Sequence, residues 1–309
     1  LVLDEPTSDL DPLGKSEVFT VLAGLKAAGK TLIVVEHNTE ELCKYADRLI
    51  LLYNGKIQRE GAPPQFFSEV PSLRDEGVYA PQVCEFAYAL NSKTGRNLTL
   101  PTTLEEAPRL LPRFRIASDM KSEYATRPAR VGDMVVSIRG LKFTYPDGTR
   151  ALDGLDLDIA RGEYLAIIGQ NASGKTTLVR HLVGLLKPTE GEVKVFGKST
   201  LQTKITELAT RVGYVYQNPD HQLFCKTVYE ECAYGLQNLG LQPADIRTRV
   251  SEVLARVGLE AFEQVDTFLL GKGQRQRLAV ASSLVMGPEV LIVDEPSTGQ
   301  DMKQSEGIM

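Results

Sequence analysis

The chain opens on a short apolar run, Leu1 to Leu3, that ends in two acids, Asp4 and Glu5. Val18, Leu22 and Leu25 then recur at helical spacing, with Gly29 placed to stop the helix. The β-branched run at 31–35 (TLIVV) predicts a buried strand ending at Glu36 and His37. Residues 40–46 predict a second helix, and 49–57 (LILLYNGKI) predict two strands around an Asn54-Gly55 turn. Residues 61–111 predict a small helical appendage, in which Thr103 and Glu106 have the spacing of a capping box. From 112 to 131 the periodicity is lost while arginine and proline accumulate, which predicts a linker.

A second unit begins near Met134. Leu155, Leu157 and Ile159 alternate with Asp156 and Asp158, the pattern of a half-buried strand. YLAII (164–168) predicts a buried strand running into a glycine-rich turn, and TLVRHLVGLL after it predicts a helix. Residues 226–288 predict mostly helix, with a second capping box at Thr227 and Glu230. VLIV (290–293) returns to strand and stops at Asp294. Strands alternating with helices predict a largely parallel sheet in an α/β fold.

The two ends of the chain repeat each other. LVLDEPTSDLD (1–11) matches LIVDEPSTGQD (291–301) at a constant offset of 290 residues, so that Asp4, Glu5 and Asp11 recur as Asp294, Glu295 and Asp301. If 290 residues is the period, the 309-residue chain holds little more than one period, and each unit is expected to be incomplete at one end. Composition narrows the class. With 42% apolar and 24% charged residues the chain is of ordinary globular make-up. A net charge of −5 disfavours a basic nucleic-acid binder, and no nucleic-acid partner is expected. The five basic residues of the 112–131 stretch have no aromatic platform beside them and are expected to be solvated. No apolar run is long enough to span a bilayer. Four cysteines without CxxC pairing and three scattered histidines give no transition-metal site. His181 and His221 are accordingly expected to serve packing, solvent or partner contact.

Gly169, Gln170, Asn171, Ala172, Ser173, Gly174, Lys175 and Thr176 match the phosphate-loop pattern GxxxxGK[ST], with Thr177 next in the following helix. Glycines let backbone wrap closely around phosphate, and successive amides with a helix N-terminus supply positive potential. Lys175 would contact β and γ phosphates, and Thr176 would place its hydroxyl on Mg²⁺. Asp294 and Glu295 end an apolar strand; beside a phosphate loop, Asp294 suits a contact to Mg²⁺ and Glu295 suits polarising an attacking water.

On these residues the chain resembles the ATP-binding subunits of ABC transporters, and the resemblance covers nearly all of it. It implies the ABC-type nucleotide-binding fold of the P-loop NTPases, a mostly parallel sheet with antiparallel β and helical subdomains. It also implies the domain organisation: 1–111 the C-terminal part of a first such domain, 112–131 a linker, and 132–309 a second domain ending after its D-loop. Tyr145, in FTYPDGTRAL, stands where the family stacks an aromatic ring on adenine. Gln217 corresponds to the Q-loop glutamine that senses Mg²⁺ and the membrane partner. LLGKGQRQR (269–277) is similar to the signature LSGGQ, placing Gly271, Lys272, Gly273 and Gln274 in its last four positions. In the first unit Asp4 and Glu5 resemble a Walker B pair that touches metal and water, Asp11 a D-loop residue and His37 the switch histidine; Asp301 is the second D-loop aspartate.

QNPDHQLF (217–224), followed by TVYEECAYGLQNLGL, is similar to the energy-coupling-factor, or cobalt-type, branch, and the signature and D-loop forms resemble its tandem two-domain members. That resemblance implies ATP and Mg²⁺ as ligands and a peripheral place on the cytoplasmic face of the membrane. The implied partners are membrane-embedded scaffold and substrate-binding subunits, and a second ABC domain. Uptake of a vitamin, vitamin precursor or metal ion would be the task. The alternatives are a non-catalytic nucleotide-binding regulator, and a soluble tandem ABC ATPase acting on ribosomes or nucleic acid. Three departures from the family pattern stand out. Ala172 replaces a common glycine, which is tolerable if its φ is negative. Gly271 removes a signature hydroxyl, and Lys272 adds a charge beside the same place, where it is expected to contact phosphate instead. The family closes two ATPs between two domains, each site joining one domain's phosphate loop to the other's signature. Neither unit here holds both a phosphate loop and a switch histidine, so ATP binding by the second unit is expected more firmly than turnover. His37 serving the second unit as its switch, in a permuted domain, is the lesser alternative, because the duplicated strand would compete for one place in the sheet.

Overall fold

The computed structural model describes residues 1–8, 10–113 and 132–295. They belong to two units, one made of 1–113 and one of 132–295. Residues 114–131 of the predicted linker, and Asp301, lie outside the described residues.

In the first unit β1 (Val2–Asp4) leads to α1 (Pro12–Ala27), then β2 (Ile33–Val35), which pairs with β1 in parallel. The start of α1 follows from local chemistry. Asp11 accepts the Gly14 amide at 2.8 Å and Pro12 sits in the first turn, where its missing N–H costs nothing. Phe19 and Leu22 supply the buried stripe of α1. Next come α2 (Thr39–Tyr45) and the hairpin β3 (Leu49–Tyr53) with β4 (Lys56–Gly61), turning through Asn54 and Gly55 at φ 50° and 73°. Two consecutive left-handed residues make the primed turn that matches strand twist, as the Asn-Gly pair predicts. The appendage consists of α3 (Pro63–Phe66), α4 (Val70–Asp75), α5 (Gln82–Thr94) and α6 (Ala107–Leu110). Its core joins Phe66, Phe67, Val70 and Leu73 to Cys43 and Cys84. Only half of the predicted capping box forms there. Glu106 accepts the Thr103 amide at 3.2 Å, but α6 starts at Ala107 and has no side-chain cap. Glu106 itself occupies the cap position, so Thr103 lies too far ahead of the helix to serve its amides.

The second unit carries a four-stranded antiparallel sheet, a parallel strand pair and a helical layer. In chain order the elements are β5 (Met134–Thr144), β6 (Arg150–Ala160), α7 (Lys175–Leu182), β7 (Glu190–Val195), β8 (Lys198–Ser199), α8 (Ile205–Ala209), β9 (Val212–Val215), α9 (Val228–Asn238), α10 (Pro243–Arg256), α11 (Lys272–Leu284) and β10 (Val290–Val293). The antiparallel sheet has the order β6-β5-β7-β8 and covers α7, while β9 and β10 pair in parallel with Ile292 opposite Tyr214. A separate apolar core, including Val228, Leu236, Val250 and Leu278, holds α9, α10 and α11 together. The capping box at Thr227 and Glu230 forms completely. Parallel pairing among the described residues is confined to β1–β2 and β9–β10, and the larger sheet is antiparallel.

The expectation for YLAII is overturned. Residues 163–170 form no strand, and Tyr164 and Ile168 are 88% and 92% exposed. A strand needs a neighbour to pair its amides and carbonyls. Among the described residues β10 pairs only with β9, and no other strand is placed to receive this segment.

Candidate nucleotide-binding site

The phosphate loop joins the exposed 163–168 segment to α7, and its geometry is set by two left-handed residues. Gly174 has φ 94°, and a Cβ there would sit 2.7 Å from the Ala151 carbonyl oxygen, so only glycine fits. Ala172 has φ 61°, so the condition under which alanine sits here without strain, a negative φ, is not met. The loop must reverse at this point, and Ala172 holds the strained conformation that glycine would adopt freely. The first amides of α7 have no partner within the helix, and Lys175 Nζ donates to the Gly169 and Gln170 carbonyls, both at 2.9 Å. Tyr145 is half-buried, meets Phe143 edge to face at 4.9 Å, and has its hydroxyl 3.0 Å from Thr177 Oγ1. The ring is thereby fixed against the first turn of α7. His181, on the same helix, is fully buried against Phe143, and its Nδ1 lies 2.8 Å from the Thr177 carbonyl. Burial pushes its pKa down, so it is packing, one of the roles expected of it.

Two acids follow β10. Asp294 is buried, its amide donating to Val215 and its Oδ2 accepting from the Tyr214 hydroxyl at 3.2 Å. Burial and the neighbouring Asp294 charge push the Tyr214 pKa up, so the phenol stays a donor. Glu295 is held in a left-handed backbone conformation, φ 48°. Its Oε2 accepts from Gln217 Nε2 at 2.7 Å, and its Oε1 lies 3.9 Å from Lys175 Nζ. Gln217 stands just beyond β9, and the parallel β9–β10 pairing brings it to Glu295 across a separation of 78 residues. Lys175, Gln217 and Glu295 therefore converge, while Thr176 is partly buried in the first turn of α7.

The first unit repeats the strand-end pattern. Glu5 has φ 42°, close to that of Glu295, and its amide donates to the Val35 carbonyl at 2.9 Å. His37 Nε2 is 2.9 Å from Glu5 Oε1. Glu36 is steadied by Thr7, whose hydroxyl donates to its Oε2 at 2.6 Å, and accepts the His37 amide at 2.9 Å. Asp4 is exposed and Asp11 caps α1. Gly271 precedes α11 as its N-cap, and its amide donates to Gln274 Oε1 at 2.9 Å; Lys272 is exposed and Gly273 lies in the first turn. Tyr214 and Glu36 carry no mark of a site residue in the sequence. Nothing marks Tyr214 until the strand register sets it beside Asp294.

The residues fit a nucleotide with Mg²⁺. The loop closes so tightly at Gly174 that a side chain is excluded, the Lys175 ammonium lies on its Gly169 and Gln170 carbonyls, the N-terminus of α7 follows directly, and the Thr176 hydroxyl and Asp294 carboxylate are hard oxygen donors.

The ABC transporter family model matches residues 152–298. A relative in Caldanaerobacter subterraneus subsp. tengcongensis, provisionally named an ABC transporter ATP-binding protein, is 40% identical over 100% of this chain and 55% of its own length. A provisionally named ABC transporter ATP-binding protein of Methanosarcina acetivorans is 38% identical over 97% of this chain and 51% of its own length. The chain thus spans about half the length of the curated relatives it matches. Among solved structures, cbiO1 from Clostridium perfringens, described as part of the ABC transporter complex cbiONQ, shares 41% identity with a TM-score of 0.52, covering 56% of this chain and 70% of that one. The ATP-binding cassette MJ0796, a dimeric post-hydrolysis state bound to ADP and Pi, shares 30% identity with a TM-score of 0.52 over 56% of this chain and 79% of that one. The phosphate loop, the acids that follow β10 and these likenesses agree: the chain has the P-loop ABC ATPase fold and belongs to the ABC transporter family of ATP-binding proteins.

Proposed function

We propose that the chain carries the nucleotide-binding parts of an ATP-hydrolysing subunit of an energy-coupling-factor type importer. The observation that carries this reading is the convergence of Lys175, Gln217 and Glu295 at the end of the β9–β10 pair. Tyr145 would stack on adenine. The loop from Gly169 through Gln170, Asn171, Ala172, Ser173 and Gly174, with Thr177 behind it, would wrap the phosphates. Lys175 would offset their charge at β and γ positions. Thr176, Asp294 and Gln217 would hold Mg²⁺, which supplies charge neutralisation on the phosphate oxygens when bound. Glu295, steadied by Gln217, would orient and polarise the attacking water. Asp4, Glu5 and His37 would do the corresponding work in the first unit, and Gly271 to Gln274 would meet the nucleotide held by a second ABC domain.

The domain reading is that 1–111 ends a first ABC domain and 132–309 begins a second. Since neither unit unites a phosphate loop with a switch histidine, the chain binds Mg-ATP more readily than it turns it over. Likeness to a part of the cbiONQ complex supports the importer branch, with membrane-embedded partners and a micronutrient as cargo.

The test is titration of the chain with a fluorescent ATP analogue and Mg²⁺, alongside phosphate release. Binding is expected to vanish in Lys175→Ala and to survive in Glu295→Gln with slower phosphate release. Equal affinity of Lys175→Ala and the unaltered chain would overturn the site. Co-purification of the protein with ribosomes rather than membrane subunits would overturn the importer reading.

A further inference from the structure

We propose that Gln222 is a positioning residue that ties Gln217 to the helix carrying Gly271 to Gln274. The inference rests on the reading of Gln217 and Glu295 as the hydrolytic pair. The segment between β9 and α9 begins at Tyr216 and Gln217, makes a short 3₁₀ turn at Pro219–His221, and returns at Gln222. The amide of Gln222 spans both ends of that turn and the neighbouring helix. Its Oε1 accepts the Tyr216 amide at 3.2 Å. Its Nε2 faces the Ala279 carbonyl at 2.9 Å, Ser282 Oγ at 3.0 Å and Ser283 Oγ at 3.2 Å, all on α11.

The orientation of this amide is determined by its partners, because Tyr216 N–H can only donate and the Ala279 carbonyl can only accept. A side chain that lacks either a donor or an acceptor cannot make both connections. Three further contacts run to α11 from this segment and from the end of β9. Gln276 Nε2 donates to the Tyr216 carbonyl at 3.5 Å, Ser283 Oγ donates to the Tyr214 carbonyl at 3.2 Å, and Arg275 Nε lies 2.9 Å from Asp220 Oδ1. The last of these is an ion pair without a directed N–H bond. Gln222 and Gln276 both bind Tyr216, the residue next to Gln217, but Gln276 does so through a single bond at 3.5 Å, whereas Gln222 holds the Tyr216 amide at 3.2 Å and meets α11 at 2.9–3.2 Å. A shift of Gln217 toward a bound nucleotide moves the Tyr216 amide, and Gln222 carries that displacement to the middle of α11. The helix packs as one body with α9 and α10, so its N-terminal Gly271 to Gln274 segment moves with it.

Hydrogen exchange read by mass spectrometry tests this in the unaltered chain, in Gln222→Leu, which keeps volume and removes both bonding functions, and in Ser282→Ala/Ser283→Ala, which attacks the same link from the helix side. Unchanged far-UV circular dichroism establishes folding of each variant. Mg-ATP is expected to slow exchange at 169–176, 216–222 and 272–284 in the unaltered chain. In both variants the first two regions keep their response, whereas the slowing at 272–284 falls by about fivefold or more, the size of a typical coupling between sites. A merely structural Gln222 would loosen α11 equally with and without nucleotide and leave that ratio unmoved, and this result would overturn the proposal. Absence of protection at 169–176 in the unaltered chain would instead overturn the ATP-site reading on which it rests.

Discussion

Glu231 offers a magnitude that can be worked from geometry. It is 5% exposed on α9, and a single oxygen, Oε2, accepts the Phe224 amide at 2.9 Å and the Cys225 amide at 2.7 Å. These bonds hold the segment that follows Gln222. Glu231→Ala leaves two donors without an acceptor, at about 1–3 kcal/mol each. Partial solvation of the vacated space and the better helix propensity of alanine offset part of this, leaving a cost of ~2–4 kcal/mol. Glu231→Gln keeps an acceptor oxygen for both amides and loses only charge assistance, at about 1 kcal/mol. The chain has no tryptophan, so urea unfolding is best followed by far-UV circular dichroism. With a urea slope of ~2 kcal/mol/M, the alanine variant shifts the midpoint of the second unit down by about 1–2 M and the glutamine variant by about 0.5 M. Equal shifts for both variants would show that the charge matters rather than the converging bonds. A shift below about 0.5 M for alanine would refute the orphaned-donor argument altogether.

Ala172→Gly relieves a left-handed alanine and is expected to raise stability by about 0.5–1 kcal/mol after the added freedom of the unfolded chain is counted, while Ala172→Val lowers it; urea midpoints ranking Gly, Ala, Val settle this, and a valine variant as stable as the parent would contradict it. Gly174→Ala places a methyl 2.7 Å from the Ala151 oxygen at φ 94°, so it is expected to cost ~2 kcal/mol or more and to weaken ATP binding, measured by the same midpoints and by nucleotide titration. Hydrogen bonds from Arg211 and then Arg161 hold the Glu289 carboxyl down at about 2, from an ordinary value of 4.5. A depressed pKa stabilises the fold above the unfolded value, and that contribution is lost as pH falls from about 4.5 through about 2. An acid titration of stability is therefore steeper in the unaltered chain than in Glu289→Gln within that window, and identical profiles would contradict the pairing.

What the sequence determined by itself was the chemistry that sits within a few neighbouring residues. GQNASGKT announces a phosphate loop, DEP announces a second acidic element 290 residues from its copy, Asn54-Gly55 makes its turn and Thr227 with Glu230 makes its cap, because each depends on local φ, on a missing Cβ or on a side chain reaching its own backbone. Family likeness extended that to Gln217, Tyr145 and His37, which carry no local signal of their own. Tertiary structure decided the rest. It put Gln217 on Glu295, His37 on Glu5 and the Tyr214 hydroxyl on Asp294 through strand pairings between distant segments. It also left YLAII exposed, since an apolar run becomes a buried strand only where another strand pairs with it. The left-handed backbone at Ala172, Glu5 and Glu295 belongs to the same class. A residue adopts a strained conformation when packing around it overrides its own preference, and that packing is assembled from parts of the chain that no local pattern connects.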